Sequence, residues 1–448
     1  MSKPLLRIPY TGPLPPPLII PPSAATKHGA ITALANFLTS GSGSPVSASP
    51  SSAVDIHPSG VPSLDENTVG TDGRDGVYRA GQNENLQGGG GKTVLLTGAG
   101  ISVASGLADY RGSKGTYTQN KRYRPIYFHE FVASHEARKR YWARSFLGWR
   151  GLHRASPNAA HYAVRDLGRL GLVDTVITQN VDSFHPIAHP NLPKTIELHG
   201  FLRSLVCLSC KRLMDREAFQ TQLAALNPAW AAFLQELLLS GALDTEDPEE
   251  RRRKGFRTNP DGDADVPGAP YTTFRYPACP HCLKRPPILR DGSKGHVDVD
   301  ADGAWVPKLV TGNGNAGGSV GAGAGVGILK PNVIMFGESI PASVKVAAEA
   351  AIDAASKVLV VGSSLATYSA WRLVKRAHER GMGIGVLNLG GVRKEEVFFG
   401  GGDGDNGSGN GHIGWTALRR DLVRASLPAE EILPSVVEYI RSQRERSG

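Results

Sequence analysis

Residues Val94 to Arg111 read VLLTGAGISVASGLADYR, and the fold is decided by how this stretch is read. Val94-Leu95-Leu96 is an apolar run that follows the glycines at 88–91. Such a run reads as a strand buried on both faces of a parallel sheet. It breaks at Thr97-Gly98-Ala99-Gly100, where glycine permits a tight turn and close approach of a phosphate. A helix is expected to start near Ser102, with its free N–H groups toward that phosphate. Strand, Gly-x-Gly and helix make half of a dinucleotide site. The full fingerprint wants a third glycine three places after Gly100, where Val103 stands. Taken alone, the turn could equally be a β–α connection without a ligand. The continuation Ala108-Asp109-Tyr110-Arg111 adds polar residues to the same loop.

Working outward, the pattern repeats. Leu172 to Ile177 reads as a second parallel strand ending in Thr178-Gln179-Asn180-Val181-Asp182, and Thr195 to Leu198 as a third ending in His199-Gly200. Later, Lys357 to Val361 ends in Gly362-Ser363-Ser364, and Ile384 to Leu387 ends in Asn388-Leu389-Gly390. Helical spacing covers Asn158 to Leu170 (with Pro157 at a favoured first position), Val344 to Ala355, Tyr368 to Arg380 and Ile432 to Arg441. Strands alternating with helices predict an α/β fold, a doubly wound parallel sheet of Rossmann type. Polar residues just past strand C-termini are where such sheets bind ligands. His199 suits proton transfer near neutral pH, although a lone His is more often structural. Asn180 and Asp182 can hydrogen-bond an amide or a ribose, or simply cap a helix.

The middle of the chain holds its four cysteines as Cys207/Cys210 and Cys279/Cys282. Two Cys-x-x-Cys pairs supply four thiolates for a tetrahedral Zn²⁺ with no open position, hence a structural ion in a small inserted zinc-ribbon domain. The gap from Cys210 to Cys279 exceeds the usual spacing of about 15–20 residues, and the charged loop Asp244–Gly268 accounts for the excess. His281 reads as a bystander, and the aromatic stripe Tyr141, Trp142, Phe146 and Trp149 as core.

The 448 residues divide into a proline-rich leader (1–30), a helix packing on the core (31–40) and a disordered insertion (41–91). Then come the first part of the nucleotide-binding domain (92–200), the zinc module (201–290), a Gly-rich insertion (291–328) and the second part (329–442). A third glycine-rich loop spans 400–411. Most of the 54 glycines cluster in these insertions. The formal charge of +9 is scattered, so it reads as a solvated face; nucleic-acid binding through Arg251-Arg252-Arg253-Lys254 is the minority reading. No apolar run approaches the roughly 18 residues of a membrane span. The acid-free, Ser-rich start, with no Asp or Glu before Asp55, has the composition of a transit peptide, or equally of a disordered leader.

Read in order, GAGIS with DYR, TQNVD, HG, two Cys-x-x-Cys pairs, KPNVIMFGE, GSS and NLG resemble the sirtuins, the NAD-dependent protein-lysine deacylases. RPI (Arg124–Ile126), RYWARSFLGW and LNPAW (Leu226–Trp230) look most like the class II, sirtuin-four-like mitochondrial branch. The resemblance implies NAD as co-substrate, one structural zinc, an acyl-lysine protein or peptide as substrate, and a monomer in the mitochondrial matrix, with cytoplasm or nucleus as alternatives. It implies that Gly98, Ala99, Gly100, Ile101 and Ser102 cradle the pyrophosphate, and that Asp109, Tyr110, Arg111 and Tyr117 belong to a loop closing over NAD. Gln179 and Asn180 would hold the nicotinamide ribose and Asp182 the carboxamide, with Val181 in the same cofactor set and Asn180 and Asp182 counted with His199 as catalytic. Gly362, Ser363, Ser364, Asn388, Leu389, Gly390 and Ala429 would take the adenosine half, with His199 as general base. The acyl-lysine peptide would add as a strand between the segments near Val333–Gly337 and Gly362–Tyr368. Desuccinylating sirtuins carry a Tyr-x-x-Arg pair; here Tyr117 is followed by Asn120, with Arg122 and Arg124 nearby, so succinyl preference is not supported. Mono-ADP-ribosyl transfer from the same NAD site is the alternative activity, and a zinc-ribbon nucleic-acid module the alternative of another class.

Overall fold

The computed structural model describes residues 14–41, 92–120, 123–241, 253, 257–258, 263–266, 268–289, 292–307, 325–400 and 421–447. The start of the leader, nearly all of the 41–91 insertion, Arg251, Arg252 and Lys254 of the basic run, the centre of the 291–328 insertion and the loop 401–411 lie outside the described residues.

Eleven strands are described: β1 (Thr93–Thr97), β2 (Val173–Thr178), β3 (Lys194–Glu197), β4 (Gly200–Cys207), β5 (Leu213–Asp215), β6 (Arg257–Thr258), β7 (Ala264–Asp265), β8 (Leu329–Val333), β9 (Lys357–Val361), β10 (Gly383–Leu387) and β11 (Leu422–Ala425). Six of them form a parallel sheet in the order β11-β10-β9-β1-β2-β3. Leu95 at its centre pairs with Val176 on one side and Leu359 on the other. Every residue of β1, β9 and β10 is buried, which is why these strands read as unbroken apolar runs. The strand order reverses between β1 and β9, and that switch point opens a crevice at the strand C-termini.

Helices cover both faces. Lys27–Thr39, Ala159–Arg169 and Ala429–Ser447 pack on one side, with Leu34, Phe37, Val164 and Leu433 fully or almost fully buried. Ala342–Asp353 and Tyr368–Glu379 cover the other, around Ile352 and Val374. The helix expected from residue 31 begins at Lys27, because the Thr26 side chain accepts from Gly29 N at 3.1 Å. Its last carbonyls are capped from the sheet: buried Lys357 donates to Phe37 O at 2.7 Å.

The second module has its own sheet, β5-β4-β8, and its own core. Trp142 and Phe146 of the aromatic stripe belong to that core and Tyr141 packs against it, whereas Trp149 sits in a separate small cluster with Leu152 and Leu202. Trp142 is fully buried against Phe219, ring centroids 4.6 Å apart, on the helix His135–Arg154.

Several expectations change at the boundaries. The turn after β1 is a tight 3₁₀ helix, Ala99–Ser105, rather than an α-helix from Ser102. Asn158 caps the helix Ala159–Arg169, so Pro157 lies before the cap and not at the first helical position. The helix Arg216–Leu226 and the edge strand β11 were not expected.

Candidate active site

A cavity of about 690 Å³ lies over the C-terminal ends of β1, β2, β9 and β10. Its floor is built from two glycine loops that interlock. Gly98 N donates to Val361 O at 3.2 Å and Gly100 N to Gly362 O at 2.8 Å. A Cβ on Gly98 would lie 2.8 Å from Ser363 Cβ, and one on Gly100 2.8 Å from the Gly362 carbonyl oxygen. Gly362 has φ +61°, and a Cβ there would lie 2.3 Å from Ile101 N. These glycines are therefore required first by loop meeting loop; approach of a phosphate is a second consequence of the same thinness.

Gly98, Ala99, Gly100 and Ser102 line the cavity, as do Asp109, Tyr110 and Arg111. So do Gln179, Asn180, Val181, Asp182 and His199 after β2 and β3. The adenosine set contributes Gly362, Ser363 and Ser364, together with Asn388, Leu389 and Gly390. Three residues of the sequence-based set do not line it. Ile101 is buried in the helix-covered core beneath. Ala429 packs into the same core, at the start of the last helix. Tyr117 stands behind the loop, stacked on Tyr110 with ring centroids 5.7 Å apart, and supports Arg111 through a cation–π contact of 5.1 Å.

The polar groups are organised into one network. Gln179 Nε2 donates to Thr97 O (3.1 Å) and Ser363 Oγ (2.7 Å), and its Oε1 accepts from Thr367 Oγ1 at 3.0 Å. Asn180 Nδ2 donates to Ser102 Oγ at 3.1 Å, and that hydroxyl donates to Asp182 Oδ2 at 2.7 Å. Burial raises the Asp182 pKa above the usual carboxylate value, while hydrogen bonds from Phe184 N and Ser102 oppose the rise.

His199 Nδ1 lies 3.2 Å from Gln179 O. A carbonyl only accepts, so Nδ1 carries the proton and Nε2 presents its lone pair, which meets Ser369 Oγ at 2.8 Å. Burial pushes the His199 pKa down to about 4, so the ring is neutral at working pH. Gly200, at φ +75°, is demanded by the next strand: a Cβ there would lie 2.2 Å from Asn332 O. Ile334 N donates to His199 O at 2.7 Å, which ties the histidine to the Val333–Gly337 wall.

Other wall residues went unseen in the sequence. Leu14 reaches the cavity from the proline-rich leader. Tyr123, Arg144 and Asp263 form another part of the wall together with half-buried Tyr141, which the sequence reading assigns to the core, and buried Arg144 pairs with Asp263 at 2.6 Å. Asp263 comes from the inserted charged loop and is buried, while Asp265 two positions on is half-exposed. Arg124, weighed as an acyl reader, instead pairs with Glu130 at 2.7 Å.

The cysteine pairs converge. Cys207 at the end of β4, Cys210 in the following turn, Cys279 and Cys282 bring their four Sγ atoms within 4.8 Å of one another. Cys207–Cys282 is 3.6 Å and Cys210–Cys279 is 3.8 Å. The hydrogen bond with Cys279, reinforced by the Cys210 and Ser209 N–H groups, lowers the Cys207 pKa, and the same contact raises that of Cys279. Four sulfurs converging from two Cys-x-x-Cys pairs suit a structural Zn²⁺.

The model of the Sir2 family matches residues 98–369. The chain belongs to the Sir2 family. This sirtuin is 39% identical over 312 residues to the NAD-dependent protein deacylase SIR4 of Batrachochytrium dendrobatidis, covering 68% of this chain and 84% of that protein. It is 36% identical over 311 residues to an NAD-dependent protein deacetylase of Bordetella bronchiseptica, covering 69% and 88%. Against the NAD-dependent protein deacylase SRT2 of Arabidopsis thaliana it is 33% identical over 307 residues, 68% of each chain. Among solved structures, a Sir2 homolog–NAD complex aligns with 79% of this chain and 90% of that one, at 22% identity and a TM-score of 0.43. The sirtuin is accordingly an enzyme of the NAD-dependent protein deacylase family, with a four-cysteine cluster able to hold structural zinc.

Proposed function

We propose that this sirtuin removes acyl groups from protein lysines within the cavity over β1 and β9, with His199 as the general base. The observation that carries the residue assignment is that His199, Asn180, Asp182 and both glycine loops face one cavity. A volume of about 690 Å³ suits a dinucleotide-sized ligand plus an entering side chain. When bound, NAD supplies an electrophilic ribose carbon, which takes the acyl oxygen as nicotinamide leaves. Gln179 and Asn180 orient the ribose, each held by its own hydrogen bonds to fixed groups. Asp182, braced by Ser102 and Phe184 N, orients the carboxamide. His199 Nε2 accepts a proton from a ribose hydroxyl, its tautomer fixed by Gln179 O. The Val333–Gly337 and Gly362–Tyr368 segments flank the cavity and would receive the peptide backbone as an added strand. The deprotonated hydroxyl would attack the acyl carbon, and one water is consumed as the bond from that carbon to the lysine nitrogen breaks, so the products are free lysine, nicotinamide and O-acyl-ADP-ribose.

Class II membership and a mitochondrial site are part of the same reading. They are supported by the likeness of the RPI, RYWARSFLGW and LNPAW segments to that branch. Incubating the purified protein with NAD and a panel of acyl-lysine peptides tests the activity. Deacylated peptide with matching O-acyl-ADP-ribose is expected; ADP-ribosylated protein without peptide deacylation would assign the site to the alternative transfer. Fractionation of cells expressing the tagged chain tests the compartment.

A further inference from the structure

The described part of the proline-rich leader is woven into the cavity wall. Ile20 N donates to Arg424 O at 3.0 Å and Arg424 N to Ile20 O at 2.7 Å, so the segment bridges to the edge strand β11. Leu18 N donates to Glu395 Oε1 at 3.0 Å. Glu395 is itself buried and forms an ion pair with Arg424 at 2.6 Å, both side chains at most 2% exposed.

That pair does not merely close the edge of the sheet. Arg424 Nη1 donates to Asn388 O at 3.0 Å and Nη2 to Gly390 O at 2.6 Å, while Glu395 Oε2 accepts from Val392 N at 3.0 Å. The loop Asn388–Gly391 and the leader therefore hang on the same two charges. They also touch directly. A Cβ on Gly391 would lie 1.9 Å from Pro15 O and 3.0 Å from Leu14 Cβ. Leu14, half-buried, lies against that loop and lines the cavity.

We propose that Leu14–Ile20 is a strap completing the nucleotide end of the dinucleotide site, with Leu14 as the apolar residue that packs against the bound ligand beside Asn388–Gly391. This rests on the NAD-site reading above. The segment's prolines suit the task. Pro15-Pro16-Pro17 is extended before the ligand arrives, so little chain entropy is lost in holding Leu14 in place. The strap is remote in sequence from the glycine loops, which explains why composition alone makes it look like a dispensable leader.

The test uses the full chain, Leu14→Ala, and Gly391→Ala, which displaces the strap while leaving Leu14 intact. Dissociation constants for ADP-ribose and nicotinamide are measured by calorimetry, and KM for NAD and for peptide by turnover. Both variants are expected to weaken ADP-ribose and to raise KM for NAD by about three- to tenfold, the scale of losing part of a leucine's apolar contact. Nicotinamide affinity, peptide KM and kcat should move less than about twofold, since only differential contacts at the nucleotide end are lost. Equal loss of nicotinamide affinity and kcat would mean a general structural defect and would overturn the assignment. Unchanged ADP-ribose binding in folded Leu14→Ala overturns it while leaving the NAD-site reading intact. If the unaltered chain binds no ADP-ribose at all, both readings fall.

Discussion

Acidification should weaken this enzyme from inside the sheet–helix interface, and His161 is the residue through which to measure it. Its ring is fully buried, edge-on to Phe184 at 5.5 Å and to His185 at 5.0 Å. Burial, with His189 adding a smaller repulsion, pushes its pKa from the ordinary 6.5 down to about 3. Nδ1 accepts from Asn158 N at 3.3 Å, and Asn158 Nδ2 in turn holds Ile101 O at 2.8 Å and Ser105 Oγ at 3.0 Å. Protonating His161 would thus remove an acceptor from the residue that braces the glycine loop. Between pH 6.5 and 3 the unfolded chain takes up a proton that the folded chain refuses. Stability present above pH 6.5 is therefore lost as pH falls. At pH 5 the unfolded histidine lies about 1.5 pH units below its own midpoint, which makes the loss from this one group about 2 kcal/mol. Urea unfolding of the unaltered chain and of His161→Phe, at pH 7.5 and pH 5, reads the difference. At pH 7.5 the variant should be less stable by about 1 kcal/mol for the lost Asn158 acceptor. On going to pH 5 the unaltered chain should lose about 2 kcal/mol more than the variant. Loss of zinc at low pH is common to both proteins and cancels. Parallel losses in the two proteins would show that His161 is not held neutral by burial, and the reasoning would be wrong.

Replacing the base, His199→Tyr, should cut deacylation by about 10²–10⁴-fold, the usual contribution of a positioned general base, while ADP-ribose binding by calorimetry stays within a few-fold. Cys279→Ser or a strong chelator should release the zinc-module core around Trp142 and Phe219, seen as lost near-UV circular dichroism and a transition at lower temperature; unchanged thermal unfolding would argue against a structural ion. Asp263→Asn should leave the buried Arg144 guanidinium without its closest carboxylate, so the acyl-peptide panel should shift toward chains ending in a carboxylate; an unaltered ranking would place Arg144 outside the acyl path.

The parts that were legible in the sequence share one property: their signal is local. Leu95 and Val360 sit in strands buried on both faces, and such strands announce themselves as apolar runs. The cysteine pairs are legible because metal geometry fixes their spacing within a turn. Even the polar residues past β1, β2 and β9 follow from the topology of a doubly wound sheet, since strand ends at the switch point have nowhere else to face. Arg216 shows the opposite case. It starts a helix absent from the sequence reading, and its guanidinium is buried against Trp149 at 4.5 Å and donates to Gln220. Nothing near it in sequence signals that burial.

The same logic accounts for β11 and the leader. A four-residue strand centred on Val423 and Arg424 gives no local signal, because a charge stands where an apolar residue is expected. It pairs with β10 along its length, and Glu395, 29 positions away, neutralises Arg424 inside the edge of the sheet. Once that pair is formed, its spare donors and acceptors have to be satisfied, and Asn388 O, Gly390 O and Leu18 N are what the fold supplies. A buried charge pair obliges its neighbours to be polar backbone held in fixed positions, which is the requirement for a loop that must grip a nucleotide without its own secondary structure. The edge of this sheet is thus built to hold a loop still, and the N-terminal segment is drawn into the site as a consequence of satisfying that pair.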